Sequence, residues 1–434
     1  MNFHKKIMQF PLIFLHKEHE MKKSLLAICI LLFASQYSFA TSNRIGALGG
    51  ETAMNPNDDT NIDLFPQHIN KVNLMRLTNI QSTTPSYAVI TGEPGAKWGL
   101  YGGTIQQNDF FNIFRSLGAN SAAKLGFAVS RFSEENKTNN KEASPANNST
   151  TDKNSYYSLS VDGIYGKDMG DTEVSIRGIF SYGPNAIATV GAIGSTNAGP
   201  FGTFEYTDIT DTTTTDSDGE GNQTLISAVA SARKPMKIAV FSKVFANAFA
   251  TLAKSSSSLA TGTTKLEDES SSTIALGGRI LLFEEKKIGE KSRVIYGVGA
   301  QGAITRVKTE DKAPSTDAKA TTLTVTGPQI RLGAESDLKY GTVRFGIARD
   351  FTLLNYTSGS TTTVGGTEND TTNTKSLSFA NSGVYAVSTG FGIEYKSLAI
   401  DVSLSRFFWV HGPQMFFDSQ NGTIATSADV IYTF

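Results

Sequence analysis

Apolar and polar residues alternate one by one along most of the chain. Residues 400–405 read IDVSLS, so Ile400, Val402 and Leu404 share one face of an extended segment and three polar residues share the other. The same alternation runs through residues 343–353. Because successive side chains of a β-strand point to opposite faces of the sheet, the pattern predicts strands with one apolar and one small-polar face.

The lengths of the strands and of their connections favour a membrane barrel over a soluble sandwich. The alternating segments extend over roughly 11–16 residues, whereas globular strands have about 5–6 and membrane-spanning strands need about 9–11. Short charged turns alternate with long polar loops: the turns are 167–171, 234–237, 285–291, 339–341 and 396–397, and the loops are 136–153, 183–223, 255–270, 309–320, 358–375 and 412–422. This layout is typical of outer-membrane barrels.

These landmarks predict about fourteen strands, an even number as in bacterial single-chain barrels. The predicted strands are 71–80, 97–106, 122–135, 155–166, 172–184, 224–234, 238–253, 271–284, 292–307, 321–338, 342–357, 378–395, 398–410 and 424–434. One short helix is predicted at 109–117. The predicted fold is all-β, a transmembrane antiparallel β-barrel over residues 71–434. The barrel must be closed, because an open sheet edge would leave unpaired backbone amides in hydrocarbon.

The start of the chain has the features of an export signal. Two lysines precede an apolar run at 25–33, and the sequence SFA at 38–40 fits a cleavage site. We therefore predict a signal peptide at 21–40 and attribute residues 1–20 to an upstream start codon. Together with the barrel fold, export predicts an integral protein of the outer membrane of a Gram-negative-type bacterium, surrounded by its lipid.

The composition argues against several function classes. Lys and Arg number 39 and Asp and Glu 40, so the formal net charge of −1 provides no field that would recruit nucleic acid. Charged residues make up 18%, below the roughly 25% of soluble globular chains. The single cysteine, Cys29, lies in the predicted signal, and only His68 and His411 follow it as histidines. Little material remains for thiol or metal chemistry. We predict no cofactor, no metal and no catalytic residue, and the protein is not expected to be an enzyme.

The C-terminal segment ends in alternating residues that finish with Tyr432 and Phe434. This ending resembles the C-terminal signature that outer-membrane barrels present to their assembly machinery. The resemblance implies that Tyr432 and Phe434 form an assembly signal and that the barrel assembly machinery is a partner. Upstream, Phe407, Phe408 and Trp409 are predicted to form part of an aromatic girdle at the lipid–water interface.

A second resemblance lies at the predicted mature N-terminus. Residues 43–50 read NRIGALGG, residues 57–61 read NDDTN and residues 64–66 read LFP. This stretch resembles the opening of FadL/PorV-type outer-membrane proteins, which begin with an Arg…Leu-Gly-Gly stretch, an Asp-rich turn and an Asn-Pro-Ala element. Here FPQ at 65–67 stands where Asn-Pro-Ala would be. The resemblance implies a barrel of fourteen strands, an N-terminal segment at 41–70 folded into the lumen as a plug, and uptake of hydrophobic molecules. A merely periplasmic position of that segment is the alternative.

Charged residues recur on the polar faces of the predicted strands. An Arg that faces lipid near the bilayer midplane costs about 2–4 kcal/mol, so these residues are expected to face the lumen. There they can pair across strands, line a water path or anchor a plug. The predicted lumen-facing charges are Glu173, Arg177, Arg293, Arg331, Glu335, Arg344, Asp350, Glu394 and Asp401.

Three further motifs have a chemical and a structural interpretation. Residues 216–222, DSDGEGN, carry oxygen ligands suited to calcium but not the EF-hand spacing, and they equally fit a solvated loop tip. His411 with Asp418 would suit a hydrolase at the barrel rim, or simply lie above the aromatic girdle. The glycines of residues 297–302 match a dinucleotide motif, yet they fall inside a predicted strand, where small residues give a barrel strand room to curve.

The sequence thus predicts a passive channel or transporter for small solutes, hydrophobic ones included. One alternative is a non-conducting structural or interaction barrel that displays its loops or acts in an envelope complex. The other is a barrel hydrolase that uses His411. The sequence predicts no oligomeric state.

Overall fold

The computed structural model describes residues 42–49, 51–56, 58–78, 86–105, 108–139, 149–183, 218–261, 264–312, 315–365, 368–378, 385–404 and 425–434. Several predicted features lie outside the described residues: the signal peptide at 21–40, the segment 1–20, the aromatic residues Phe407, Phe408 and Trp409, and the pair His411 and Asp418.

A short helical segment precedes the strands. It contains helix α1 (Ser42–Ala47) and three 3-10 helices, Thr52–Met54, Asp59–Asp63 and Pro66–Lys71. Within the described parts of the chain, no helix has the length and apolar character needed to cross a membrane.

Seventeen β-strands follow in the described chain. They are β1 (Leu74–Thr78), β2 (Ser86–Thr91), β3 (Trp98–Ile105), β4 (Asn108–Gly118), β5 (Ser121–Asn139), β6 (Ser149–Met169), β7 (Thr172–Gly183), β8 (Asp218–Ile238), β9 (Phe241–Thr261), β10 (Thr264–Ile288), β11 (Ser292–Lys312), β12 (Ser315–Leu338), β13 (Gly341–Gly365), β14 (Glu368–Ser378), β15 (Tyr385–Tyr395), β16 (Leu398–Leu404) and β17 (Ala425–Thr433).

The strands form one closed antiparallel wall. β17 pairs with β16 on one side and with β1 on the other, where Leu74 lies opposite Thr433 and Leu77 opposite Val430. β14 and β15 both pair with β13, β14 along its second half and β15 along its first half. These two strands therefore share one position in the wall, and the protein is an all-β closed antiparallel barrel with sixteen strand positions.

The strand number differs from the predicted fourteen because β2 and β4 are absent from the prediction. β2 has only six residues, too short a run to reveal its alternation against the flanking turns. Residues 109–117, predicted to be a helix, belong to β4 and pair with both β3 and β5. In β4 every second side chain is buried, including Asn112, Phe114 and Ser116, so pairing with neighbouring strands outweighs the local helix-like pattern.

Polar segments that the sequence predicts to be loops continue as strands. β10 and β13 have 25 residues each. The predicted loops 255–270, 309–320 and 358–375 fall largely within paired strands of this kind. They are rich in Thr, which suits a strand, and the ladder satisfies their backbone groups.

The acidic motif at 216–222 also differs from the predicted loop tip. Asp218 to Asn222 belong to β8 and pair with β9, so the described part of this motif is strand. Within the described ranges, no three His, Cys, Asp or Glu side chains come together as a metal site.

The two faces of the wall differ in polarity in the sense opposite to a soluble protein. In β7, Ser175 and Ser181 are buried whereas Ile176, Phe180 and Tyr182 are exposed. We call these sides the buried face and the exposed face. The buried face of the other strands also carries charged side chains, among them Lys124, Asp162, Arg233, Arg279, Glu335, Arg344 and Asp401.

Residues 42–72, named here the N-terminal segment, pack against the buried face. α1 contacts β13, β15, β16 and β17, whereas the helix Pro66–Lys71 contacts β4, β5 and β6. Two apolar clusters fix the segment. One joins Ile62 and Ile69 to residues of the first strands and of β16 and β17, and the other joins Leu48, Ala53, Met54 and Phe65 to Phe245, Leu281, Phe283 and Ile295.

Closure of the wall can be tested at Ile431, which lies in the closing strand β17 and is fully buried in the first apolar cluster. Ile431→Ala is expected to lower the free energy of unfolding by about 2–5 kcal/mol, because it removes buried methylene groups and leaves a cavity. Urea unfolding in detergent micelles, followed by tryptophan fluorescence, measures the change. Met75→Ala, at a position of the partner strand that is 47% exposed, is the control. An equal loss in both variants would contradict a packed seam.

Candidate functional site

Buried ions concentrate where the N-terminal segment meets the wall. Short turns within the segment position the ions that the segment contributes. Asp58 caps the helix Asp59–Asp63 by accepting a hydrogen bond from the backbone N of Thr60 at 3.0 Å. Pro66 then opens the next helix, where its fixed φ suits the first turn and its missing N–H costs nothing. These turns let one short segment reach several strands.

The Glu335 cluster joins α1 to four strands, β11, β12, β13 and β16. Arg44 donates from Nε and Nη2 to the two carboxylate oxygens of Glu335, at 2.8 Å each. The same carboxylate accepts from Arg344 Nε at 2.7 Å and from Arg293 Nε at 3.0 Å. Arg344 also pairs with Asp401. Bidentate arginine–carboxylate pairs are strong and geometrically specific, so this cluster positions α1 closely.

The charges of this cluster balance. Arg293 also donates to Glu285 at 2.7 Å, so three arginines face the carboxylates of Glu335, Asp401 and Glu285. A buried ion pair offsets the loss of hydration only when its remaining hydrogen-bond partners are supplied. Most are supplied here, but Nη2 of Arg344 is buried without a hydrogen-bond partner in the described chain.

The Glu173 cluster holds the other end of the segment. Arg233 donates from Nε to Glu173 at 2.5 Å, and its Nη1 donates to Asn61 Oδ1 at 2.7 Å and to the Ala53 carbonyl at 3.1 Å. His68 Nε2 lies 2.5 Å from the second oxygen of Glu173. Arg233 thereby connects two 3-10 helices to the strand β8.

Three further contacts tie the segment to the wall. Arg279 donates to Glu51 Oε2 at 2.5 Å, and Arg76 donates to Asp59 Oδ2 at 3.3 Å. The backbone N of Asn43 donates to Asp429, which is fully buried on β17. The segment thus contributes the cation to some ion pairs with the wall and the carboxylate to others.

Other ion pairs lie within the wall alone. Asp162 accepts from Arg177 Nε and contacts Lys124 Nζ, each at 2.8 Å. Arg331 donates to Asp350 at 2.5 and 3.1 Å. These pairs join adjacent strands and do not contact the N-terminal segment by any ion pair among the described residues.

The structure thus groups most of the charges singled out in the sequence. Arg293, Glu335, Arg344 and Asp401 meet in one cluster, and Glu173 is the centre of another. Arg177 and the pair Arg331 and Asp350 lie elsewhere in the wall. Glu394 is half-buried and lies opposite Ala399 in the register of β15 and β16.

Sequence reasoning misses the partners of these charges. Asp162, Arg233, Arg279 and Asp429 lie on the same alternating faces and could have been found by extending that pattern to every strand. Arg44, Glu51, Asp59 and His68 belong to irregular chain, where no period marks a buried ion.

Glycines make room for the N-terminal segment. A Cβ at Gly346 would lie 2.2 Å from the backbone N of Gly49 and 2.6 Å from the Ala47 carbonyl. A Cβ at Gly166 would lie 2.0 Å from the side chain of Gln67. The main chain of the segment therefore contacts the main chain of β13 directly, which is possible because Gly346 has no side chain.

Burial alters the ionisation of the N-terminal segment. It raises the pKa of Asp58, and it raises the pKa of Asp59 to about 8, although the positive charge of Arg76 acts in the opposite direction. Burial lowers the pKa of His68, against the favourable hydrogen bond to Glu173. Burial in the docked segment therefore favours the neutral forms of His68, Asp58 and Asp59.

No family model matches this chain, and no curated protein matches it either. Among solved structures it is similar to the ferric yersiniabactin uptake receptor FyuA from Yersinia pestis, with a TM-score of 0.35 and 7% identity over 84% of this chain and 80% of that chain. The siderophore receptor PiuA from Acinetobacter baumannii has a TM-score of 0.34 and 8% identity, over 76% of this chain and 49% of that chain. The ferric-catecholate import receptor Fiu from E. coli K12 has a TM-score of 0.29 and 6% identity, over 84% of this chain and 81% of that chain. Similarity this low carries no functional argument.

Docking of the segment is expected to depend on Gly346. Gly346→Val should displace residues 47–49, because the new side chain overlaps their main chain, and should expose the bond after Arg44 to trypsin. Gly178→Val is the matched control, since a Cβ there meets nothing within 4 Å. Mass spectrometry of the fragments compares the cleavage rates. Equal resistance of both variants would contradict the close approach.

Docking is also expected to depend on pH through Asp59. The docked carboxyl group keeps its proton up to about pH 8, whereas a solvated Asp loses it near pH 4, as is usual for this side chain. The docked state therefore binds more protons between these values, and docking weakens as the pH rises through them and is constant above.

Hydrogen exchange of residues 42–72, corrected for the intrinsic exchange rate, measures this effect at pH 5 and pH 8.5. The protection of the wild type relative to Asp59→Asn, which stays neutral, should fall as the pH rises. A difference that stays constant or grows would show that Asp59 is ionised when docked.

Proposed function

We propose that this protein is an outer-membrane barrel that passes small solutes, with the N-terminal segment as a plug in its lumen. The observation that carries the proposal is the polarity of the closed wall: the exposed face is apolar, and the buried face carries charged side chains beside apolar ones and is covered by the segment.

The exposed face supports a position in lipid. Large hydrophobic side chains are exposed on strands throughout the wall: Met75, Leu100, Phe127, Phe180, Leu252, Leu276, Ile304, Leu332, Phe345 and Val387. Soluble proteins rarely expose apolar patches larger than a few hundred Å². A closed wall also leaves no unpaired strand edge for hydrocarbon to meet.

Aromatic residues at the end with the short turns support the same position. Trp98, Tyr340 and Tyr432 are exposed at this end, where amphipathic rings suit the lipid–water interface. Tyr432 and Phe434 stack with their ring centroids 6.3 Å apart. We propose that this exposed pair is what the barrel assembly machinery recognises, after export by the signal peptide at 21–40.

The contacts of the N-terminal segment support a plug. α1 reaches β13, β15, β16 and β17, and the helix Pro66–Lys71 reaches β4 to β6, which are separate parts of the wall. Contact with both parts is expected of a segment that lies inside the barrel. The predicted lumen-facing charges then line the space around it, and a solute passes only when the segment moves.

The solute proposed is small and polar. Charged pairs such as Asp162 with Lys124, and Arg331 with Asp350, lie on the buried face, which is a poor path for a hydrophobic molecule. Sixteen strand positions also depart from the fourteen that the FadL/PorV resemblance implies, so the hydrophobic cargo implied by that resemblance is not carried over.

A non-conducting scaffold is the second candidate. The density of ion pairs between segment and wall favours it, because each pair opposes displacement of the plug. On this hypothesis the long hairpins present a surface to a partner, and the lumen stays closed.

A disulfide lock separates the two candidates. A Cβ at Gly333 would lie 3.3 Å from the Cβ of Leu48, close to the roughly 3.5–4.5 Å of disulfides. It would also lie 2.8 Å from the Leu48 carbonyl oxygen, so the main chain must shift slightly, and the reduced protein is the control for the effect of that shift. The pair Leu48→Cys and Gly333→Cys introduces the only cysteines downstream of the predicted signal. In planar bilayers the oxidised protein should show no openings, and reduction should restore those of the wild type.

Gly346→Val, which frees part of the plug, should increase the conductance above the wild-type level. Gly178→Val should leave it unchanged. If Gly346→Val undocks the segment, as shown by trypsin, and the barrel still does not conduct, the channel is disproved and the scaffold is favoured.

A further inference from the structure

We propose that a row of basic residues on the exposed face of β9, β11 and β14 binds the phosphate groups of anionic membrane lipids. The basic row consists of Lys254, Arg306, Lys308 and Lys375. The proposal rests on the proposed membrane position of the exposed face, and it adds a specific class of lipid to it.

The strand register defines where the apolar surface ends. One continuous set of cross-strand partners runs over the six strands β9 to β14, and all its members lie on one face. This apolar row is Ala250, Leu276, Ile304, Leu323, Tyr356 and Leu377. Leu276, Ile304 and Leu377 are among the most exposed hydrophobic side chains, which identifies the face as the exposed one.

The basic row begins two residues beyond the apolar row along each strand, on the side away from the short turns. The next partners on the same face, two residues along each strand, are Leu252, Ile274, Arg306, Thr321, Ser358 and Lys375. Another two residues along, Lys254 and Lys308 lie on either side of Ser272. Two residues of a strand span about 7 Å. Within that distance the wholly apolar surface gives way to a mixed one, in which Arg306 lies beside the exposed Ile274.

The cations of this row are available to a ligand. Lys254, Arg306 and Lys375 are exposed, and none of them forms a salt bridge with a carboxylate in the described chain. Lys308 pairs with Glu310, which lies farther from the apolar row. The hydroxyl groups of Ser272, Thr321 and Ser358 lie between the cations and can donate to phosphate oxygens.

The opposite end of the same strands carries charges of both signs. Near the short turns, the cations Lys243, Lys286, Lys287, Lys291 and Arg293 are accompanied by Glu284, Glu285 and Glu290. Glu285 pairs with Lys243 and Arg293, so some cations of this end already have a carboxylate partner, unlike Lys254, Arg306 and Lys375 in the described chain.

A lipid fits this surface better than a soluble anion does. The basic row directly continues the apolar row, so a molecule with acyl chains can contact both at once. Each Lys or Arg close to an anionic membrane surface strengthens binding by about fivefold. Two such charges together therefore account for about 25-fold.

The test compares two double variants of the full mature chain in neutral detergent. Lys254→Gln/Arg306→Gln removes two charges of the basic row, and Lys234→Gln/Lys237→Gln removes two exposed lysines near a short turn. Native mass spectrometry measures binding of lipid A, a phosphorylated glycolipid, against phosphatidylcholine. The first variant should bind lipid A about 25-fold more weakly than the wild type. The second should bind as the wild type does, and phosphatidylcholine should not distinguish the three proteins.

Equal affinity of the two variants for lipid A would overturn the site. Inorganic phosphate that displaced lipid A at equal concentration would overturn lipid as its occupant. Insertion of all three proteins into phosphatidylcholine vesicles tests the membrane position separately. A wild type that fails to insert disproves the proposed function, whereas insertion without a difference in lipid A binding disproves only the lipid site.

Discussion

Pairing of the last strand with the first is the constraint on which this structure depends. β17 and β1 close the wall, so each of the sixteen strand positions in the described chain has a neighbour on both sides, although β14 itself pairs only with β13. Closure separates an exposed face from a buried one. Only then can the wall carry Phe180 and Leu276 on one side and Arg344 and Asp162 on the other. An open sheet of the same sequence would expose both kinds of group to one solvent.

The enclosed charges require the N-terminal segment as much as the segment requires the wall. Arg44 supplies one of three guanidinium groups around Glu335, and Glu51 supplies the carboxylate that meets Arg279. Removal of either partner from a buried pair leaves an uncompensated charge, which costs far more than the net contribution of the intact pair. Segment and wall are therefore best understood as one folding unit, with apolar contacts such as Phe65 against Phe245 filling the space between the ions.

The alternation of the sequence was sufficient for the fold class and for most strands, because a period of two is a local property. It also identified Glu335, Arg344 and Asp401 as belonging to one face. It could not identify β4, because the apolar residues Phe110, Ile113, Phe114 and Leu117 follow a helical spacing and only pairing with β3 and β5 decides for a strand. Nor could it predict that Arg44 meets Glu335, since these residues are 291 positions apart and only closure of the wall brings them together.

The long hairpins have a consequence for which parts of the sequence are free to vary. A strand of 25 residues, such as β10, is about 80 Å long, more than twice the roughly 30 Å of a bilayer core. In the proposed membrane position, the half of β10 next to the short turn contacts lipid on one side and buried ions on the other, so its sequence is constrained at every position. The other half extends beyond the bilayer and needs only polar residues that tolerate an extended backbone. Substitutions are therefore expected to be tolerated better in the second half than in the first, along one and the same strand.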